Sequence, residues 1–137
     1  MREILFKAKR VDNGEWVVGQ YVNTCYPGND KETGHFIVVY PNEYHEIYTS
    51  TVCQCTGFFD EDGKEIFEGD IVGFIDCTST ENGYSERYCI GRVLWDEETG
   101  SFQVTERLSA ESYEVLDRGC KVIGNILDNQ ELLEQED

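Results

Sequence analysis

The run Val52-Cys53-Gln54-Cys55-Thr56-Gly57-Phe58-Phe59-Asp60-Glu61-Asp62-Gly63-Lys64-Glu65-Ile66-Phe67-Glu68-Gly69-Asp70-Ile71-Val72 decides the fold. Its first part, residues 52–59, is rich in β-branched and aromatic residues and predicts a strand. On a strand Cys53 and Cys55 share a face and pack as small hydrophobes. Asp60-Glu61-Asp62-Gly63 then predicts a type I turn with Gly63 in the left-handed region. Extended chain resumes over residues 65–75, interrupted at Glu68-Gly69-Asp70. Here Asp70 is expected to accept backbone N–H groups and hold the bend. Gly57, Gly63 and Gly69 open backbone geometries closed to other residues. Ile66, Ile71 and Val72 read as core, with Lys64 and Glu65 at the edge of the turn. The whole run reads as structural.

The rest of the chain extends this β character. Val, Ile, Phe, Tyr and Trp total 38 residues against 10 for Ala, Leu and Met, a ratio that favours strands over helices. Ile4, Phe6 and Ala8 alternate with Leu5, Lys7 and Lys9 as in a half-buried strand. Asp12-Asn13-Gly14 is a hairpin signal leading into a return strand over residues 16–22. Residues 23–34 read as a polar loop, 36–40 as a strand, 45–50 as a weaker one, and 78–86 as a second loop. Residues 88–95 and 101–106 predict a hairpin, and residues 115–116 and 121–127 complete the strands. At the end Asp128, Glu131 and Leu132-Leu133 predict a short helix with a capping box. Trp16, Phe36, Phe67, Phe74, Trp95 and Phe102 are expected in the core. Tyr26, Tyr44, Tyr84 and Tyr113, placed on loops, are the candidate interface residues, since a Tyr ring buries area while its hydroxyl stays wet.

The 137 residues read as one domain with a mainly β, antiparallel, barrel-like (SH3-like) architecture and a short C-terminal helix. The formal charge is −17, which argues against nucleic-acid or anionic-membrane binding because counterion release needs Lys and Arg. That charge is uneven. Residues 1–10 carry Arg2, Lys7, Lys9 and Arg10 against Glu3, net +3, whereas the other 127 residues carry net −20. The excess reads first as a solvated surface kept soluble by self-repulsion; the sharper alternative is a basic edge of one copy meeting an acidic face of another. Charges in the opening MREILFKAKR stand where a signal peptide needs an apolar segment, so a cytoplasmic protein is expected.

No catalytic constellation emerges. The six cysteines (Cys25, Cys53, Cys55, Cys77, Cys89, Cys120) lack paired zinc spacing, and His35 and His45 stand ten apart. His45-Glu46 opens like a zincin motif, but position 49 is Thr. The Asp60 turn resembles part of a calcium loop, yet Phe58 occupies the position where that loop would begin. A Cys25 or Cys77 nucleophile beside a histidine is a chance encounter at this composition. No catalytic residue, metal or cofactor is expected.

Three segments carry a family resemblance: Arg2-Glu3-Ile4-Leu5-Phe6-Lys7-Ala8, the central run, and Val122-Ile123-Gly124-Asn125-Ile126-Leu127-Asp128-Asn129-Gln130-Glu131-Leu132-Leu133. In this order and spacing they resemble the YopX family of phage and prophage proteins. Gln130 stands where the family often has Pro, a change that alters the helix start only slightly. The resemblance implies a β-rich, barrel-like fold without an established activity. The positions matching the family motif are Gly57, Gly63, Lys64, Glu65, Ile66, Gly69, Asp70, Gly124 and Asn125. It points to an accessory protein that acts by binding, self-associating or meeting a host or phage protein. Two alternatives stand beside it. One is an acidic mimic of DNA that inhibits a host nucleic-acid enzyme; the other is a small-ligand binder or enzyme with an aromatic-lined pocket.

Overall fold

The computed structural model describes residues 4–26, 28–113, 116 and 119–134. The chain divides into two compact units, Met1–Cys55 and Thr56–Asp137. Arg2, Glu3 and Val115, used above, lie outside the described residues.

The first unit is an antiparallel sheet of β1 (Phe6–Lys9), β2 (Trp16–Tyr26), β3 (Asn29–Val39), β4 (Glu43–Glu46) and the start of β5 (Cys53–Phe59), in the order β4-β3-β2-β1-β5. Gly14 takes φ +71° in the β1–β2 turn, as the Asp-Asn-Gly sequence requires. Lys7 faces Val18 on one side and Cys53 on the other, so the first strand lies inside the sheet. Ala8, Ile37 and Ile47 form the buried core, with Phe6, Val17, Tyr21 and Val52 packed against them. Residues 23–26 and 29–34, expected within a loop, are strand: they extend β2 and β3 into a long ribbon in which Cys25 pairs with Thr33. Polar residues on both faces hid this strand from a reading of hydrophobic alternation. The weak strand at 45–50 resolves into β4 and a 3-10 turn, Thr49–Thr51.

The second unit holds the rest of β5, β6 (Glu65–Phe67), β7 (Asp70–Thr80), β8 (Gly83–Asp96), β9 (Ser101–Glu106), β10 (Ser112–Tyr113), β11 (Lys121–Asn125) and α1 (Glu131–Glu134). Five of these strands form a sheet in the order β10-β9-β8-β7-β11. Its buried face alternates as expected: Val72, Phe74, Cys89, Val93 and Val104 join Ile66, Leu116 and Cys120 in one core. The sheets are open, so the fold is mainly β and antiparallel but is not a closed barrel. Residues 78–86 belong to the β7–β8 ribbon, which runs to Thr80↔Gly83. Leu116 lies in a turn rather than a strand. Trp95 is 44% exposed, edge-on to Phe102, and Trp16 is half-buried beneath Lys7 and Lys9, so neither indole is a core residue.

Two strand glycines are set by close approach. A Cβ on Gly91 would lie 2.5 Å from the Thr105 carbonyl oxygen and 2.6 Å from a Val104 methyl. On Gly73 it would strike the Tyr88 ring, whose hydroxyl end lies over the glycine. A backbone carbonyl locked in a ladder cannot retreat, whereas a half-exposed Tyr can rotate. Gly91→Ala is therefore expected to cost roughly 1–3 kcal/mol and Gly73→Ala distinctly less. Urea unfolding of the two variants checks the order, and equal losses would contradict it.

Candidate functional site

Within the central run one buried carboxylate, Asp60, gathers three backbone N–H groups. Asp60 closes the β5–β6 connection, its N–H donating to the Lys64 carbonyl at 2.8 Å. Its Oδ1 accepts from the N–H of Asp62 at 2.9 Å and of Lys64 at 2.8 Å, and its Oδ2 accepts from the N–H of Val122 at 3.0 Å. The side chain thus holds its own turn and ties it to β11, 62 residues on. Glu61 adds a backbone bond to the Cys120 carbonyl. Burial alone would raise the Asp60 carboxyl; the N–H groups of Val122, Lys64 and Asp62 and the Lys64 charge outweigh it and hold the group below its usual range. These bonds occupy both carboxylate oxygens, which accounts for the turn without a calcium ion.

The neighbouring motif positions do similar work. Gly57, Gly63 and Gly69 all have positive φ. Asp70 is 1% exposed, and its Oδ2 accepts the Phe67 N–H at 2.9 Å, the bend-holding role its sequence suggests. The Gly69 carbonyl accepts the Ile126 N–H at 2.9 Å. Ile66 is fully buried, and Lys64 and Glu65 border the turn. At the far end Asn125 Oδ1 accepts from Leu127 and Asp128, while Asn129 Oδ1 accepts from the Asn125 N–H. A Cβ on Gly124 would sit 2.6 Å from that Asn129 oxygen. Asn125 and Asn129 organise the turn before α1, and Asp128 Oδ2 accepts from Asn125 Nδ2 at 3.1 Å. Within the first unit the opening segment meets the start of the same run, the Leu5 carbonyl accepting the Cys55 N–H at 2.8 Å.

A third buried acid, Glu106, was not singled out from the sequence. It is 1% exposed, accepts from the N–H of Leu108 and Ser109, and faces Arg87 Nη1 at 3.4 Å. Burial opposes its ionisation, but those N–H groups, the Ser109 hydroxyl and Arg87 prevail and lower it. Arg87 also reaches Asp76 at 3.8 Å, and the Tyr113 hydroxyl donates to Asp76 and Glu111. Burial, followed by the Glu111 and Asp76 charges, pushes the Tyr113 phenol up to about 12.

The four interface tyrosines all stand on strands rather than loops. Tyr26 ends β2, packs edge-on to Phe36 and donates to Glu46 at 2.6 Å. Tyr44, in β4, is 47% exposed on the other edge of Phe36. Tyr84, 62% exposed in β8, donates to Glu86 at 2.7 Å and contacts Cys77 Sγ at 3.1 Å. Tyr113 is half-buried against Phe74. Tyr26 and Tyr44 share Phe36 in the first unit, and Tyr84 and Tyr113 lie in the second. Two open clefts indent the first unit. One of about 440 Å³ is lined mainly by Leu5, Val18, Val38, Tyr40 and Pro41; the other, about 520 Å³, by Thr24, Cys25, Asn42 and Tyr44. All six cysteines carry free thiols, and burial beside Asp60 and Glu61 pushes Cys120 up to about 11.

Taken together, these features describe a mainly β protein whose motif residues form a lattice of turn-holding hydrogen bonds. The chain belongs to the YopX family, whose model, described as YopX protein, matches residues 5–134. Among solved structures it is similar to protein EF1440 from Enterococcus faecalis, at 24% identity and a TM-score of 0.50. The likeness covers 97% of this chain and 99% of that one and concerns the fold alone. No curated protein matches significantly.

Asp60→Ala would leave three amides without their acceptor and is expected to cost about 3 kcal/mol, measured by urea denaturation. Because Asp60 and Glu106 are both depressed when folded, stability is expected to be level above the ordinary carboxylate range. It should fall as pH drops through about 4 toward their folded values, where protonation of both groups is linked to unfolding. The acid-induced loss should shrink in Asp60→Ala; a wild-type slope retained in full would contradict the assignment.

Proposed function

We propose that the protein acts by binding rather than by catalysis, as a self-associating accessory protein of a phage or prophage in the host cytoplasm. One observation carries the reading. The buried acids Asp60, Asp70 and Glu106 all have their oxygens turned to backbone N–H groups within their own unit. A general acid or base must exchange protons with substrate, and groups committed in this way are poorly placed to do so. What the surface offers instead is strand: two long ribbons, β2–β3 and β7–β8, extend into exposed chain. Unpaired strand edges are natural pairing surfaces between copies. No helix among the described residues is long and apolar enough to cross a membrane.

A chain of charge −17 repels its copies at low ionic strength, and salt screens that repulsion over roughly 8–10 Å. Self-association is therefore expected to grow with protein concentration and with added salt. Sedimentation equilibrium at two salt concentrations measures it. A mass of one chain at every concentration and salt would sink the self-association reading.

A further inference from the structure

In the second unit, β11 stops where β7 continues. β11 pairs with β7 from Asp70 only as far as Gly73, which faces Lys121. On that side residues 74–80 have no neighbouring strand among the described residues, while β8 pairs along their other side to the tip. Along the seven residues Phe74-Ile75-Asp76-Cys77-Thr78-Ser79-Thr80, every second residue thus presents its N–H and C=O to this open side. Natural edges are guarded by Pro, Lys, bulges or brevity. This one has no Pro, no Lys and a single acid, and it runs without a register break. The equivalent open stretch of β8 carries the adjacent charges Glu86 and Arg87. From Cys77 to Tyr88 every residue of the ribbon is exposed, and a two-stranded ribbon by itself is marginal in water.

We propose that this β7 edge pairs with the same edge of a second copy, antiparallel about a two-fold axis at Cys77; the proposal rests on the self-associating reading above. The register identifies the occupant. Centred on Cys77, all seven open residues are covered: Phe74 opposes Thr80, Ile75 opposes Ser79 and Asp76 opposes Thr78. Sliding the axis one residue towards the start of β7 would set Asp76 against its own copy and drive each ribbon tip into β11. In the centred register the tip acid Glu81, where the chain turns away, lies end-on to Lys121 of the other copy, twice over by symmetry. Lys121 now pairs with Asp62 at 3.6 Å, both side chains being more than 60% exposed, a pair that exchanges readily. The edge is thus complementary to itself in backbone, length and charge, and two five-stranded sheets become one of ten strands.

Directly opposed residues in an antiparallel pair have Cα atoms about 4.5–5.5 Å apart, within disulfide range. Mild oxidation by copper-phenanthroline is therefore expected to link two chains through Cys77. The link should persist in Cys25→Ser, which removes the other exposed thiol, and vanish in Cys77→Ser. Cys77→Ser should still dimerise by sedimentation. Cys77→Lys sets like charges across the axis and should weaken the dimer roughly fivefold or more, although it lowers the net negative charge. Circular dichroism and urea unfolding of Cys77→Lys verify that the fold persists. A wild-type dimer that Cys77→Lys leaves intact, or that links through Cys25, would overturn this interface and leave self-association standing. A wild-type chain that is monomeric throughout would overturn both.

Discussion

One buried carboxylate holds the second unit in register. A turn such as Asp60-Glu61-Asp62-Gly63 forms from local preference, but nothing local directs a strand sixty residues later to lie beside it. Asp60 does both, because its two oxygens have enough lone pairs to serve its own turn and the Val122 amide. The Cys120 carbonyl taking the Glu61 N–H, and the Gly69 carbonyl taking the Ile126 N–H, then extend the tie along β11. Charge-assisted bonds to a carboxylate are stronger than neutral ones, and in a site 7% exposed they suffer little competition from water. The family positions Gly69 and Asp70 shape the bend between β6 and β7, and Gly124 and Asn125 shape the end of β11.

This reading changes what the acidity means. Of the 28 acids, Asp60, Asp70 and Glu106 are buried and serve the fold, while most of the remainder keep a solvated surface. A surface of that kind opposes contact through charge and leaves backbone pairing as the route by which copies could meet. The exposed ribbons supply that chemistry, and the open β7 edge carries a single acid, Asp76, where the open stretch of β8 carries Glu86 and Arg87 side by side.

Much of the fold was legible because burial leaves a period-two mark. Ala8, Phe36, Val72, Phe74 and Val93 stand where alternation places them. The hairpins at Gly14 and Gly63 followed from turn chemistry that demands positive φ. The ribbon segments 23–34 and 78–86 were illegible for the converse reason. With most of their described residues in water they are mainly polar and show no hydrophobic alternation, and only cross-strand partners reveal them as strands. Trp95 misleads differently, since an aromatic on a strand is as stable against Phe102 at the rim as in the core. Asp70 could be assigned as a bend-holder because its partner is three residues away. Glu106 and the long reach of Asp60 could not, because the amides they bind become neighbours only when the sheet is assembled.

The fold of the second unit turns on the Asp60 carboxylate, in ionised form, receiving the Val122 amide. Amide hydrogen exchange with an NMR pH titration reads that bond. Val122 and Lys64 are expected to be protected near neutral pH. Their amide shifts should move together below pH 4, following the titration of a single depressed carboxyl group. A Val122 amide that exchanges at the rate of an open chain, or whose shift ignores that titration, would contradict it.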